Sequence, residues 1–528
     1  MDRDLESMQQ ARHLCVRARE AQLKFKEFSQ KDVDRVVAAM ADAGFRAAEQ
    51  LAQLAVEETG FGVVADKVAK NQLATRDVYN LIKNMKTVGV INELPGKRIL
   101  EIAEPMGVIA GIVPVTNPTS TVLFKSLIAV KARNAIVFSP HPNAVRCANA
   151  AAAVMSQAAE SAGAPPGLIS CMTLSTLQGT NELMHHRDVA IILATGGAGL
   201  VKAAYSAGKP AYGVGPGNVP AFIERTADVR KAVADIAASK TFDNGTVCAS
   251  EQAIIADLPI KDQVIAELQA RKAYFLNPDE CRRVGATLVT RELTVSPDCV
   301  GQPAYVIAQK AGIAVPRDTS MLVAPLDGVG PHYPLSIEKL SPVIAFYVAD
   351  GWEAGCERCI EILNFGGLGH TLVIHSRDEE VIMQFALKKP AFRILVNTPG
   401  THGAVGITTE LDPSMMLGCG TYGGNITTDN VTPMHLLNIK RVAYETKPLR
   451  RSERSTDWRP ELLTHGRVNV RAPYQAALTP AAGISRREAP QAEFHARQPS
   501  PAPRGRYGSS GLTDEEVERI VAEFLQTR

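Results

Sequence analysis

GVIAGIVPVTNPTSTVLFKSLIAVKARNAIVFSP, residues 107–140, passes from a short apolar run through a Pro-bounded turn into an apolar helical stretch and out to a second apolar run. Gly107–Val113 reads as a strand, Ser120–Val130 as a helix and Ala135–Ser139 as the next strand, because apolar runs of about four to eight residues between turn signals suit strands buried on both faces. The pattern continues outward. Ala144–Ala162 is an Ala-rich helical stretch, and Val189–Ala194 followed by Gly197–Ala207 repeats strand and helix. Such alternation predicts a parallel α/β architecture, repeated less regularly from about Val219 to Met416. On the N-terminal side, apolar residues recur at three and four from Leu5 to about Val56, which fits two or three helices. Val88–Ala103 reads as a hairpin around Pro95-Gly96.

With 528 residues the chain has room for two or three domains of roughly 100–200 residues. Its 45% hydrophobic and 21% charged residues are ordinary for a soluble protein. A net charge of +2 and two Trp argue against nucleic acid as a partner. No apolar run reaches the roughly 18 residues of a membrane span, and the N-terminus has no secretory pattern, so no membrane association is expected. The nine cysteines are widely spaced, which favours reduced thiols and a cytoplasmic setting. Cys356-Glu357-Arg358-Cys359 lacks the second ligand pair that zinc needs, so it reads as structural or incidental and no metal is expected.

The chemistry gathers in three short segments. Phe242-Asp243-Asn244-Gly245-Thr246-Val247-Cys248-Ala249-Ser250-Glu251-Gln252 brings one thiol out of a Gly-containing turn, where backbone amides can support a nucleophile. Ile112-Val113-Pro114-Val115-Thr116-Asn117-Pro118 presents Asn117 ahead of a helix, where a neutral amide can donate to an oxyanion; a structural Asn-Pro turn is the alternative. Ile191-Ile192-Leu193-Ala194-Thr195-Gly196-Gly197-Ala198-Gly199 runs from strand to helix through glycines and lets a phosphate or nicotinamide approach a helix N-terminus. Its glycine fingerprint is incomplete, with Lys202 where a third glycine would fall.

Together these segments resemble the aldehyde dehydrogenase superfamily, specifically its CoA-acylating branch of propionaldehyde and acetaldehyde dehydrogenases from bacterial microcompartments. The resemblance covers about residues 5–447, and FDNGTVCASEQ is its most specific piece. It implies a Rossmann-like NAD/CoA-binding domain over 1–87 and 104–236, oligomerisation strands over 88–103 and 430–447, and a catalytic domain over 237–429. Cys248 matches the family nucleophile and Asn117 its oxyanion-binding amide. Thr195, Gly196 and Gly197 match the turn beside the nicotinamide, and Glu338 the glutamate on the nicotinamide ribose. Ser139 and His141 stand where hydrolytic members carry a lysine on the adenosine ribose, so NAD rather than NADP is implied by kinship alone. Thr116, Gly215, Ser341 and Pro342, within the same matched motifs, complete the implied cofactor-binding set. His370, in Gly366-Gly367-Leu368-Gly369-His370-Thr371, belongs to another resembling segment and receives no role, a structural histidine being an equal alternative.

At Val214 the hydrolytic members carry a glutamate that activates water. No acid occurs between Ala207 and Ile223. The expected reaction therefore ends on a thiol: a short aldehyde, propionaldehyde first and acetaldehyde next, is oxidised with NAD⁺ through a Cys248 thioester that CoA collects by a ping-pong route. Asp243 or Glu251 replacing the missing base is the competing reading. A hydrolytic dehydrogenase and an inactive scaffold remain as alternatives. The resemblance also implies a homotetramer or other homo-oligomer.

Beyond about Lys447 the composition turns to Arg, Pro, Ser and Ala, which predicts a flexible linker over 448–511. The end differs: Thr513-Asp514-Glu515-Glu516 is a capping box, and Val517, Ile520, Val521, Phe524 and Leu525 form one apolar stripe. Residues 512–528 thus read as an amphipathic helix, with docking back on its own domain as one alternative. They resemble the encapsulation peptides of microcompartment cargo, which implies a shell or cargo partner and a place in the microcompartment lumen of a bacterial cytoplasm.

Overall fold

The computed structural model describes residues 2–447; the expected linker and terminal helix lie outside them. Four helices, Arg3–Phe25, Gln30–Arg46, Ala48–Thr59 and Val64–Gln72, open the chain; the first three bury mainly small and aliphatic residues, while the fourth buries Lys67, Lys70 and Asn71. The first packs Ala11, Cys15, Ala18 and Phe25 into the core around the first sheet, consistent with the three- and four-residue recurrence.

That sheet is parallel and five-stranded, in the spatial order Ile169–Cys171, Ala135–Pro140, Val108–Val113, Val189–Thr195, Ala211–Val214. Its central strand is apolar and buried at every position, as a strand covered on both faces must be, and the crossover helix Pro118–Lys131 is buried throughout as well. Strand order reverses beside Val108–Val113. Chain connections therefore diverge outside the carboxyl ends of Val108–Val113 and Val189–Thr195 and leave a crevice there. Lys125, fully buried, fastens these two ends by donating from Nζ to Ile112 O at 2.7 Å and Leu193 O at 2.9 Å.

A second parallel sheet has seven strands, ordered Ala273–Phe275, Met321–Pro325, Val343–Ala349, Glu251–Asp257, Val219–Ile223, Leu372–His375, Ile394–Val396. Val219–Ile223 pairs in this sheet, between Glu251–Asp257 and Leu372–His375. The expected division at 236 is corrected accordingly: the chain changes sheets at Gly215–Asn218, where Pro216 and two glycines break the strand pattern.

The third sheet is antiparallel, formed by Gly89–Leu94, Ile99–Pro105 and Leu437–Ala443. Its last strand is exposed along most of its length. Cys356 and Cys359 lie buried one turn apart on the helix Gly351–Phe365. Among the described residues no cluster of three or more His, Cys, Asp or Glu could hold a metal ion, and no helix is long and apolar enough to cross a membrane.

Candidate active site

In a parallel sheet all strands start at the same edge. Four neighbouring strands of the second sheet, beginning at Val343, Glu251, Val219 and Leu372, are each entered by a loop that carries chemistry: Glu338, Cys248, Gly217 and His370. This edge faces the crevice of the first sheet. The result is one cleft of about 960 Å³ lined from both sides.

Cys248 lines this cleft, with its Sγ 3.2 Å from His370 Nε2. His370 Nδ1 lies 2.9 Å from Thr371 Oγ1, and Arg393 Nη1 donates to the His370 carbonyl at 3.0 Å. Burial, with Arg393 adding to it, pulls the imidazole down to about 3, so the ring is neutral near pH 7. Although Cys248 keeps some exposure at the cleft, burial and the nearby Glu338 push its thiol up to about 12. The resting pair is thus a thiol beside a neutral imidazole that can accept its proton. Sequence analysis left His370 without a role; its segment was visible, but its partner stands 122 residues away.

The turn before Cys248 is strained. Asp243 and Asn244 both take positive φ, 50° and 52°. Asn244 Nδ2 holds Gly301 O at 2.9 Å, and Asp243 is wholly buried against Lys67 and Lys70. Gly62 is obligatory there, because a Cβ would stand 2.0 Å from Asp243 Oδ1. Asp243 is therefore a structural anchor held in its charged form by the two lysines, which outweigh the cost of its burial. Glu251 also lies behind the turn, with Oε1 accepting from Gly400 N at 2.7 Å. Neither acid lines the cleft.

From the first sheet, Asn117 projects Nδ2 to Thr246 O at 3.2 Å, beside the nucleophile turn. Thr116, Ser139, His141, Thr195, Gly196, Gly197 and Gly215 also line the cleft. The site fits a dinucleotide end. Thr195 Oγ1 is buried without a partner, while a Cβ on Gly197 or Gly215 would project into open space that a ligand can fill. The helix Ala198–Ser206 starts at Gly197 with no side-chain cap, leaving its N–H groups for a phosphate. Ser139 Oγ is tied to Thr180 Oγ1 at 2.7 Å, and His141 Nδ1 accepts from Asn143 N at 3.1 Å. Glu338 is the one acid lining the cleft among the described residues; Oε1 accepts from Gly217 N at 2.9 Å, and burial raises the carboxyl to about 7. Ser341 and Pro342 require correction. Both are buried behind the cleft, where Ser341 packs under Gly245, so they back the nucleophile turn instead of touching a cofactor.

A thiol beside an imidazole between two parallel sheets, facing a glycine-lined crevice, is an arrangement suited to a thiol-dependent dehydrogenase. Residues 4–296 match the aldehyde dehydrogenase family, and the chain belongs to that family. An acetylating aldehyde dehydrogenase from Geobacillus thermoglucosidasius is 53% identical and superposes with a TM-score of 0.84 over 86% of this chain and 100% of that one. A propionaldehyde dehydrogenase from the fucose utilisation microcompartment of Clostridium phytofermentans is 28% identical with a TM-score of 0.74, over 81% of this chain and 96% of that one. Aldehyde-alcohol dehydrogenase 2 of Entamoeba histolytica is 46% identical over 426 residues, 79% of this chain and 49% of the relative. The chain therefore spans about half the length of this curated relative.

Proposed function

We propose that the protein is a CoA-dependent acylating aldehyde dehydrogenase that converts a short aldehyde, NAD⁺ and CoA to acyl-CoA and NADH. The observation that carries this reading is the Cys248–His370 pair in a cleft with no carboxylate at Val214. His370 Nε2 takes the thiol proton as Sγ attacks the aldehyde carbon. The Asn117 amide and the Cys248 N–H then hold the oxyanion of the thiohemiacetal. Bound nicotinamide would supply the hydride acceptor, with Thr195–Gly197 and Glu338 positioned to hold it. As the C–H bond is lost, the carbonyl re-forms and Cys248 carries a thioester. His370 gives up the first proton to solvent; the CoA sulfur then adds to the thioester, its proton passes to His370, and Cys248 departs as a thiolate that takes this proton back. Similarity to the Geobacillus and Clostridium enzymes supports the same chemistry. Propionaldehyde led the sequence reading, and the 53% identical acetylating relative brings acetaldehyde level with it. One methylene in an apolar pocket separates two substrates by only about 1–3 kcal/mol.

With propionaldehyde and NAD⁺ but no CoA, the enzyme forms about one NADH per site and then turns over some 10²–10⁴-fold more slowly, because no placed base activates water. Adding CoA restores the rate and yields propionyl-CoA. The specific competitor is Glu338, an acid raised to about 7 in the cleft. If Glu338 activates water, free propionate appears at full rate without CoA. NADH in neither arm would leave the inactive scaffold.

Residues 512–528 join this reading as a docking helix for a microcompartment shell or cargo protein, placing the enzyme in the lumen within a bacterial cytoplasm. Their capping box and apolar stripe support it, as does the microcompartment origin of the Clostridium relative. Deleting 508–528 leaves activity in solution unchanged and removes the enzyme from purified shells; unchanged co-purification defeats the idea. The homo-oligomer belongs to the same proposal, with the exposed strand Leu437–Ala443 as its contact.

A further inference from the structure

Two lysines on the helix Val64–Gln72 are buried, Lys67 at 2% exposure and Lys70 at 4%. They stand one turn apart and flank Asp243. Lys67 Nζ donates to Thr116 O and to Asp243 Oδ2, each at 3.0 Å. Lys70 Nζ donates to Asp243 Oδ2, to the Asn117 side-chain oxygen and, at 3.4 Å, to Thr246 Oγ1. One ammonium thus touches the oxyanion-binding amide and the nucleophile turn together. The helix belongs to neither parallel sheet, and nothing in the local sequence motifs points to it.

We propose that Lys70 is a positioning residue that orients and polarises the Asn117 amide for the oxyanion. This rests on the reading of Asn117 given above. An ammonium has donors and no acceptor, so only the amide oxygen can face it. The Nδ2 end must then point the other way, toward Thr116 Oγ1 and the Thr246 carbonyl, in the cleft that Cys248 also lines. Without that cation the amide is free to turn its oxygen toward the developing negative charge, where it repels. A cation on the amide oxygen also draws electron density away from nitrogen and strengthens the N–H as a donor, the cooperative effect of linked hydrogen bonds. Asp243 keeps the ammonium in place. Asp66 closes the rim of the cluster by accepting from Asp243 N at 2.7 Å. With Asp66 on the rim, two cations meet two anions, so it is the direct contact of the Lys70 ammonium with the Asn117 oxygen, and not a net charge, that acts on the amide. Burial brings Lys70 down to about 8 against the opposing pull of Asp243, so it stays charged at neutral pH.

A double-mutant cycle tests this, reading kcat and the KM values for NAD⁺ and CoA with propionaldehyde. Lys70→Met is expected to lower kcat by about 10–100-fold, below the full loss of an oxyanion donor, while KM for NAD⁺ stays within about twofold. Combined with Asn117→Ala, it should add no more than about threefold to the loss from Asn117→Ala alone, since Lys70 acts through that amide. Losses that multiply would assign Lys70 a merely structural role and overturn the proposal, as would a Lys70→Met variant with wild-type kcat. If Lys70→Met does not fold, Lys70→Gln takes its place in the same cycle. Asn117→Ala at wild-type rate would instead remove the oxyanion assignment beneath the proposal, and wild-type enzyme without CoA-dependent NADH formation would remove the functional reading.

Discussion

Cys248→Ala is expected to lose CoA-dependent NADH formation by at least about 10⁴-fold, because the covalent route has no second nucleophile to fall back on. Cys248 is the only cysteine lining the cleft among the described residues. Cys419 is 2% exposed, donates to Leu417 O at 3.5 Å and is pushed up to about 11 by burial, so it cannot stand in. Hydride transfer itself needs the thiohemiacetal, so both halves of the reaction fail together. The measurement is steady-state NADH formation with propionaldehyde, NAD⁺ and CoA. Retention of more than about one hundredth of the wild-type rate would refute the nucleophile assignment.

His370→Ala is expected to lower kcat/KM for the aldehyde by about 10²–10⁴-fold at pH 7, the usual contribution of a placed base. A thiol held near 12 is ionised to only about one part in 10⁵ at pH 7. Burial keeps His370 neutral throughout pH 6–9 with Nε2 facing the thiol, so the proton passes to it only as Sγ attacks. The wild-type rate should therefore change little across that window. In the variant, solvent must ionise the thiol, and the thiolate fraction rises as pH rises, so the rate should climb about tenfold per pH unit from 6 to 9. A variant profile parallel to wild type would mean that His370 does not handle this proton.

The parts legible in the sequence are those specified by neighbours in the chain. Asn117 sits in a strand–Pro–helix junction and Cys248 in a Gly-containing turn, and both geometries are local. Glu338 was reached through kinship alone. Ser341 and Pro342 were placed too freely: three and four residues after Glu338 the chain has already turned beneath Gly245, and adjacency in a motif does not decide which side of a loop meets the cleft. His370 was quoted without a role because its distance from Cys248 depends on Val219–Ile223 lying between Glu251–Asp257 and Leu372–His375. The pairing of that same strand in the second sheet puts the boundary at Gly215–Asn218 instead of 236. Lys67 and Lys70 escaped notice because lysines three apart on a helix ordinarily mark a solvated face. Here they face inward, and only the buried Asp243 makes that tolerable.

By itself, the amino-acid sequence determined that the chain alternates strand and helix into parallel sheets, that one thiol leaves a glycine turn, and that no acid stands at Val214, because buried-strand periodicity and turn chemistry act over a few residues. Tertiary structure decided the rest. Parallel strands start at one edge whatever their order along the chain, so Glu338, Cys248, Gly217 and His370 converge only once the sheet is assembled. The same assembly removes water from around them, and that loss of solvent, more than the identity of any residue, makes Cys248 a protonated thiol and His370 the neutral base beside it.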